Sequence, residues 1–288
     1  MSSSDRVKIS WVKEATPGTT PNNAAFKAAR LTGESLKVMF QTEQSKELDS
    51  NRVERELIKV GESVDGGDPK IKRIANGNQL PFFSILKQFE DLTDVNHLFK
   101  GLVFNTWALT IPKKAIMTGV FGVTGMGFAN GAMPLGLGTP TFTAAGNSDP
   151  YNSSNHLTAL LLDDVPFTSC VDTMSLSVTN NIRPQECLGS AAPTGFTQGK
   201  IQITGSADIY FKTEDLFNKY KAATAFEIDL GLTDNDGQKL DFELPRCKME
   251  DMEVVASGGN TDIIAKCKFR ALWDPTDERV IQITSTAP

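Results

Sequence analysis

Asp172-Thr-Met-Ser-Leu-Ser-Val-Thr179 and Ile201-Gln-Ile-Thr-Gly-Ser-Ala-Asp-Ile209 decide the fold class. In the first stretch Met174, Leu176 and Val178 alternate with Ser175, Ser177 and Thr179. In the second, Ile201, Ile203, Ala207 and Ile209 alternate with Gln202, Thr204, Ser206 and Asp208. A period of two sends the apolar side chains to one face and the polar ones to the other, so both stretches predict antiparallel strands with one dry face and one wet face.

Downstream, the extended runs 225–232 and 239–244 flank Thr233-Asp-Asn-Asp-Gly237, whose Asp-Gly suits the positive φ of a hairpin turn. Between these strands and the hairpin, Thr213 is a candidate N-cap. Glu214 and Asp215 sit where the helix dipole favours anions, and Leu216, Phe217 and Tyr220 form an apolar stripe, which predicts a short helix over 213–220.

The N-terminal half carries a similar order of elements. Leu31-Thr-Gly-Glu-Ser-Leu-Lys-Val38 reads as a strand, a charged stretch passes through Asn51-Arg-Val-Glu-Arg-Glu56, and Leu57-Ile-Lys-Val60 is again extended. Pro81 suits a first helical position, and Phe82, Ile85, Leu86 and Phe89 then share one helical face, which predicts a helix over 81–89. Extended runs follow at 102–123, as they do at 247–272 in the second half. Two ordinary β-rich halves could share this order by chance; the reading adopted is a duplication. It divides the chain into an N-terminal arm (1–30), a first repeat (31–124), a Gly/Pro-rich linker (125–167), a second repeat (168–273) and a C-terminal tail (274–288). The expected fold is mainly β, a duplicated β-sandwich or half-barrel of antiparallel sheets, each flanked by a short helix.

Composition narrows the function. The chain has 288 residues, enough for two cores of ordinary size, and a net charge of −6. That balance argues against a protein that grips nucleic acid through its phosphates, which takes a concentrated basic surface. Cys170, Cys187, Cys247 and Cys267 form no C-x-x-C pair and read as four buried thiols in a reducing compartment. No charge occurs from Ala115 through Ser148, yet the abundance of Gly, Thr, Asn and Pro there reads as strand and linker rather than a membrane span.

Chemistry is sparse. His97 and His156 have no partners at metal-ligand spacing and read as surface or loop residues. Asp234-Asn-Asp-Gly237 lacks the ligand pattern of a calcium loop, and the glycines of 119–138 lack Gly-Lys-Ser/Thr. No catalytic residue, metal or cofactor is expected, and the chain reads as a scaffold rather than an enzyme.

Glu14-Ala-Thr-Pro-Gly-Thr-Thr-Pro21, Leu31-Thr-Gly-Glu-Ser-Leu36, Leu57-Ile-Lys-Val-Gly61 and Leu176-Ser-Val-Thr-Asn-Asn-Ile-Arg183, in that order, resemble the major tail tube proteins of long, non-contractile-tailed bacteriophages. The resemblance implies rings of this chain stacked into a hollow tube of the virion tail, made and assembled in the host cytoplasm. Its partners would be further copies, other tail proteins at the tube ends and double-stranded DNA in transit, with no membrane. A ring of about 24 strands, spaced about 4.8 Å and tilted about 40°, has a backbone diameter of roughly 37 to 48 Å, wide enough for a duplex after side chains. Three duplicated chains would supply it with pseudo-sixfold symmetry; without duplication six are needed. The wet face must then line the lumen, which makes Ser175, Ser177, Thr179, Gln202, Thr204, Ser206 and Asp208 the candidate lumen-facing residues. Lys200, Lys248, Lys266, Lys268 and Arg270 disturb a purely acidic wall. The alternative is a non-enzymatic virion decoration or carbohydrate-binding β-module, which calls for an exposed aromatic cluster.

Overall fold

The computed structural model describes residues 7–31, 33, 35–36, 71–75, 80–145, 149–190, 192–255, 258 and 262–288. The strands are β1 Val7–Glu14, β2 Ala25–Ala29, β3 Ile71–Ala75, β4 Phe82–Phe89, β5 Asn96–Pro112, β6 Thr118–Thr124, β7 Gly127–Gly131, β8 Thr141–Thr143 and β9 Leu157–Leu162. They continue as β10 Val165–Pro166, β11 Val171–Thr179, β12 Arg183–Gln185, β13 Gly195–Thr197, β14 Gln202–Tyr210, β15 Phe226–Thr233, β16 Lys239–Val255, β17 Ile264–Ala271 and β18 Gln282–Thr286. The helix α1 is Asp215–Lys221.

Hydrogen-bonded pairing runs β9–β15–β16–β17–β14–β11–β5–β4–β1–β2, antiparallel throughout, with β8 parallel to β2 at one end. The fold is therefore mainly β, as the alternating stretches predict. Strand β5 has a double membership: residues 106–112 pair with β11 and 103–110 with β6, whereas residues 83–88 of β4 and all of β7 pair with its first part. A larger core lies under β11, β14, β15, β16 and β17, built from Leu176, Ile203, Ile228, Leu244, Cys247 and Phe269. A smaller one gathers Ala24, Phe26, Leu86, Leu98 and Leu137.

Within the larger core Gly205 stands on the dry face of β14, paired with Phe269 of β17. A Cβ at this position would lie 2.2 Å from the Phe269 ring, so the ring occupies the space any larger residue needs. The predicted hairpin is β15 and β16, with Gly237 at φ +85. Asp234 Oδ1 accepts hydrogen bonds from the backbone N–H of Asp236 (3.0 Å) and Gln238 (2.8 Å), which fixes the turn. Helix α1 carries Asp215 in its first turn and Lys219 and Lys221 in its last, and buries Leu216. Its N-cap is Glu214 rather than Thr213.

Several expectations need correction. Residues 82–89 are strand β4, not a helix: Phe83, Ile85 and Lys87 point one way and Ser84 and Leu86 the other, and β1 and β5 hydrogen-bond both edges. Among the described residues, then, one helix flanks the sheet rather than two. Of the expected arm 1–30, residues 7–30 are not detached, because β1 lies between β4 and β2 and Pro17-Gly18 belongs to the connection between β1 and β2; residues 1–6 fall outside the described residues. The same incorporation holds at the other end, where Val280 and Ile281 are buried and β18 pairs with β16 and β3. The stretch 125–167 contains β7, β8, β9 and β10, each with a pairing partner. Leu31, Gly33, Ser35 and Leu36 lie in no strand, and the remainder of 31–38, with 51–60, falls outside the described residues. Cys247 and Cys267 are buried, but Cys170 and Cys187 are exposed.

Candidate functional site

The register of β11 against β14 brings the sequence-predicted polar residues together. Ser175 faces Ser206, Ser177 faces Thr204 and Thr179 faces Gln202, while Asp208 faces Thr173. Ser175 and Ser206 share a hydrogen bond between hydroxyls 2.8 Å apart. All seven share one face, because the intervening Met174, Leu176, Ile203, Ala207 and Ile209 are buried on the other. The face extends through β5 by Thr106, Ala108 and Thr110 and through β6 by Thr118, Val120 and Gly122, which are uncharged.

On the other side of β14 the same face becomes ionic. Thr204, Ser206 and Asp208 stand opposite Arg270, Lys268 and Lys266 of β17, and these stand opposite Lys248, Asp251 and Glu253 of β16. A register shift between Met249 and Asp251 turns Glu250 toward Arg270, and the two form an ion pair. Lys268 pairs with Asp251 at 3.3 Å. Strands β14, β16 and β17 thus place Lys248, Lys266, Lys268 and Arg270 among Asp208, Glu250, Asp251 and Glu253, four cations against four carboxylates. The sequence reading saw the cations as a disturbance; the cross-strand register and the bulge, which set the pairing, are invisible in a single strand's pattern.

Residues 74–271 match the family model described as phage tail tube protein, which is more than half of the chain. The chain belongs to the phage tail tube protein family. No curated protein matches it. As a phage tail tube protein it has a structural role in the virion tail and assembles with further copies and with other tail proteins. Among the described residues of this tail tube protein no helix is long and apolar enough to cross a membrane.

Groups with chemical potential elsewhere in the tail tube protein have structural surroundings. His156 is buried, accepts a hydrogen bond at Nδ1 from the Asn152 N–H (3.1 Å) and lies 3.1 Å by Nε2 from Asn235 Oδ1, so it ties its loop to the β15–β16 turn. His97 packs edge-on between Phe89 and Phe128. Burial, with the charge of Glu227, pushes the Cys247 thiol up to about 12, and burial with Asp208 pushes Cys267 up to about 11, so both remain protonated at neutral pH.

Asp164, Glu227 and Asp229 bring carboxylate oxygens within 4.8 Å of one another, a donor set of the kind hard cations take. Burial and then the neighbouring Asp229 and Asp164 charges raise Glu227 to about 7; burial and then Glu243 raise Asp229 to about 6. From pH 4.5 to 7 the folded chain therefore holds Glu227's proton where the unfolded chain has lost it, and stability falls as pH rises through that window. Glu227→Gln is expected to raise stability at pH 8 by about 1 kcal/mol, after a discount for partial exposure, and to flatten the decline. Urea unfolding at pH 5 and pH 8 checks this.

An aromatic chain that strand alternation does not reveal runs across β1, β4, β5 and β6. Trp11, Phe83, Phe104, Phe121 and Trp107 follow one another at centroid distances of 5.6, 5.1, 5.4 and 6.3 Å. Phe104 and Phe121 are exposed.

Proposed function

We propose that copies of this chain close into rings that stack into the hollow tail tube, and that double-stranded genomic DNA passes along its lumen during ejection. Ser175, Ser177, Thr179, Gln202, Thr204, Ser206 and Asp208 line the wall in this reading. The observation that carries it is the polar face across β6, β5, β11, β14, β17 and β16, whose reverse side on β5, β11, β14 and β17 is committed to the core. Hydroxyls offer phosphate only neutral contacts, and charges of both signs in equal number leave no net attraction for a polyanion. Screening over about 8 Å at physiological salt confines the effect to groups close to the passing duplex.

Six chains fit this face better than three. Each chain has one such face among its described residues, and within it β5, β11, β14 and β17 are the four strands that lie between the end strands β6 and β16. Six sets of four give about 24 strands, the number whose ring spans roughly 37 to 48 Å. The β12–β13 hairpin stands apart from the main sheet and carries the exposed Leu188, which suits a contact between successive rings. Assembly takes place in the host cytoplasm, with other tail proteins closing the ends.

Electron microscopy of the purified chain, averaged to count chains per ring, tests the reading. Stacked hollow rings of six support it. Rings of three with apparent sixfold repetition would return the duplicated arrangement. Persistent monomers under assembly conditions would favour a decoration or carbohydrate-binding module, a reading to which the exposed Phe104 and Phe121 lend an aromatic surface.

A further inference from the structure

The ionic half of the polar face holds more basic surface than a wall for sliding DNA needs. Lys266, Lys268 and Arg270 alternate along β17 with the buried Ala265, Cys267 and Phe269, so their three charges form a row on one side of the strand. Alternate residues of a strand stand about 6.8 Å apart, which makes this a linear array of cations rather than a scattered set. Left alone, such a row would attract a polyanion, since each phosphate contact releases condensed counterions.

The row is not left alone. Glu250 and Asp251 form ion pairs with Arg270 and Lys268, and Glu253 stands opposite Lys266. Asp208 flanks Lys266 from the other side. The bulge at Met249/Asp251 adds one residue to β16, and that residue, Glu250, reaches Arg270, which has Lys248 as its cross-strand partner in β16. Without Glu250 the Arg270 end of the row would have only the cation Lys248 beside it on β16.

We propose that the β17 cations form a latent phosphate-binding track, which Glu250, Asp251 and Glu253 of β16 keep closed. This rests on the reading of the face as the tube wall, and it assigns those three carboxylates a role in transit: they keep the wall from retaining DNA. The cations hold the carboxylates in return, so the wall is polar and wet without net charge.

Neutralising the carboxylates should open the track. The triple variant Glu250→Gln, Asp251→Asn, Glu253→Gln is expected to bind a short DNA duplex at least about 10-fold more tightly than the wild-type chain in 50 mM salt. With three phosphate contacts the track's own contribution to binding falls about 40-fold between 50 and 200 mM salt, so the gain over wild type should disappear by 200 mM. Adding Lys266→Gln, Lys268→Gln and Arg270→Gln should return binding to the wild-type level. Fluorescence anisotropy on the soluble chain reads all three proteins, and circular dichroism establishes that each is folded. Unchanged binding in the triple variant, or a gain that survives removal of the β17 cations, overturns the proposal. Tubes of the triple variant then test the wall reading separately. A gain in the soluble chain that vanishes in intact tubes supports the latent track but moves this face away from the lumen.

Discussion

Gly205→Ala should cost about 3 kcal/mol of folding stability, although it adds a single methyl group. The new Cβ would lie 2.2, 2.6 and 2.7 Å from three atoms of the Phe269 ring, far inside contact distance. The ring cannot step aside without cost, because Phe269 is buried in the larger core and packs edge-on against Phe226 at 6.5 Å. Overpacking of this kind typically costs 1–3 kcal/mol, and the depth of the clash puts this position at the upper end of that range. For a chain of this size the loss corresponds to a melting temperature lower by about 6–12 °C. Phe269→Leu would remove the obstructing ring atoms, so Gly205→Ala and Phe269→Leu should be strongly non-additive, the double variant losing less than the sum of the two. Thermal and urea unfolding of the four proteins in that cycle check it. Simple additivity would mean that the ring does not set the need for glycine.

Glu14→Ala should be comparably damaging, at about 3–4 kcal/mol. Glu14 ends β1 with its carboxylate buried, and three connections converge on it. The Gly18 N–H donates to Oε2 at 2.8 Å, the Gly101 N–H donates to Oε1 at 3.0 Å, and the Ser84 hydroxyl donates to Oε1. These donors come from the turn after β1, from β5 and from β4, so one side chain joins three elements around the smaller core. Truncation leaves buried donors without an acceptor, at about 1–3 kcal/mol each, while Ser84 can still turn to Thr20, 2.6 Å away. Glu14→Gln should lose about half as much, since its amide keeps one acceptor but aims an N–H at a donor. Amide hydrogen exchange gives the specific readout. Protection at Gly18 and Gly101 should drop in both variants, and unchanged protection there would sink the assignment.

Much of the larger core was legible because its strands have one wet face. Met174 to Val178 and Ile201 to Ile209 carry the period of two without interruption, and the Asp-Gly turn marks its own hairpin. Strand β4 misled for the opposite reason. Phe82, Phe83, Ile85, Leu86 and Phe89 are apolar toward both faces of the sheet, one buried at Leu86 and the other half-buried, and such a run also satisfies a helical stripe. The ends misled because their partners lie far along the chain: β1 pairs with β4, and β18 pairs with β16. Glu14 showed itself only as the first residue of the stretch 14–21, since nothing local says that a carboxylate will be buried. The seven candidate wall residues came together because alternation and register agree; the ion pairs beside them depend on a bulge that alternation cannot reveal.

Strand β5 gives the two cores a common fate. Leu98 belongs to the smaller core, Leu109 and Ile111 to the larger, and all three ride on one uninterrupted strand. The smaller core has five buried apolar residues among those described, a slight reserve of burial for a unit that must hold β1, β2, β4 and β8 in place. It has no need to stand alone. Fraying it strips β4 and β7 from β5, and the same backbone is what β11 uses as a template for the polar face. Order in the periphery and order in the polar face are thereby linked through one strand, and Glu14→Ala is expected to lower amide protection at Ser175 and Ser177 as well.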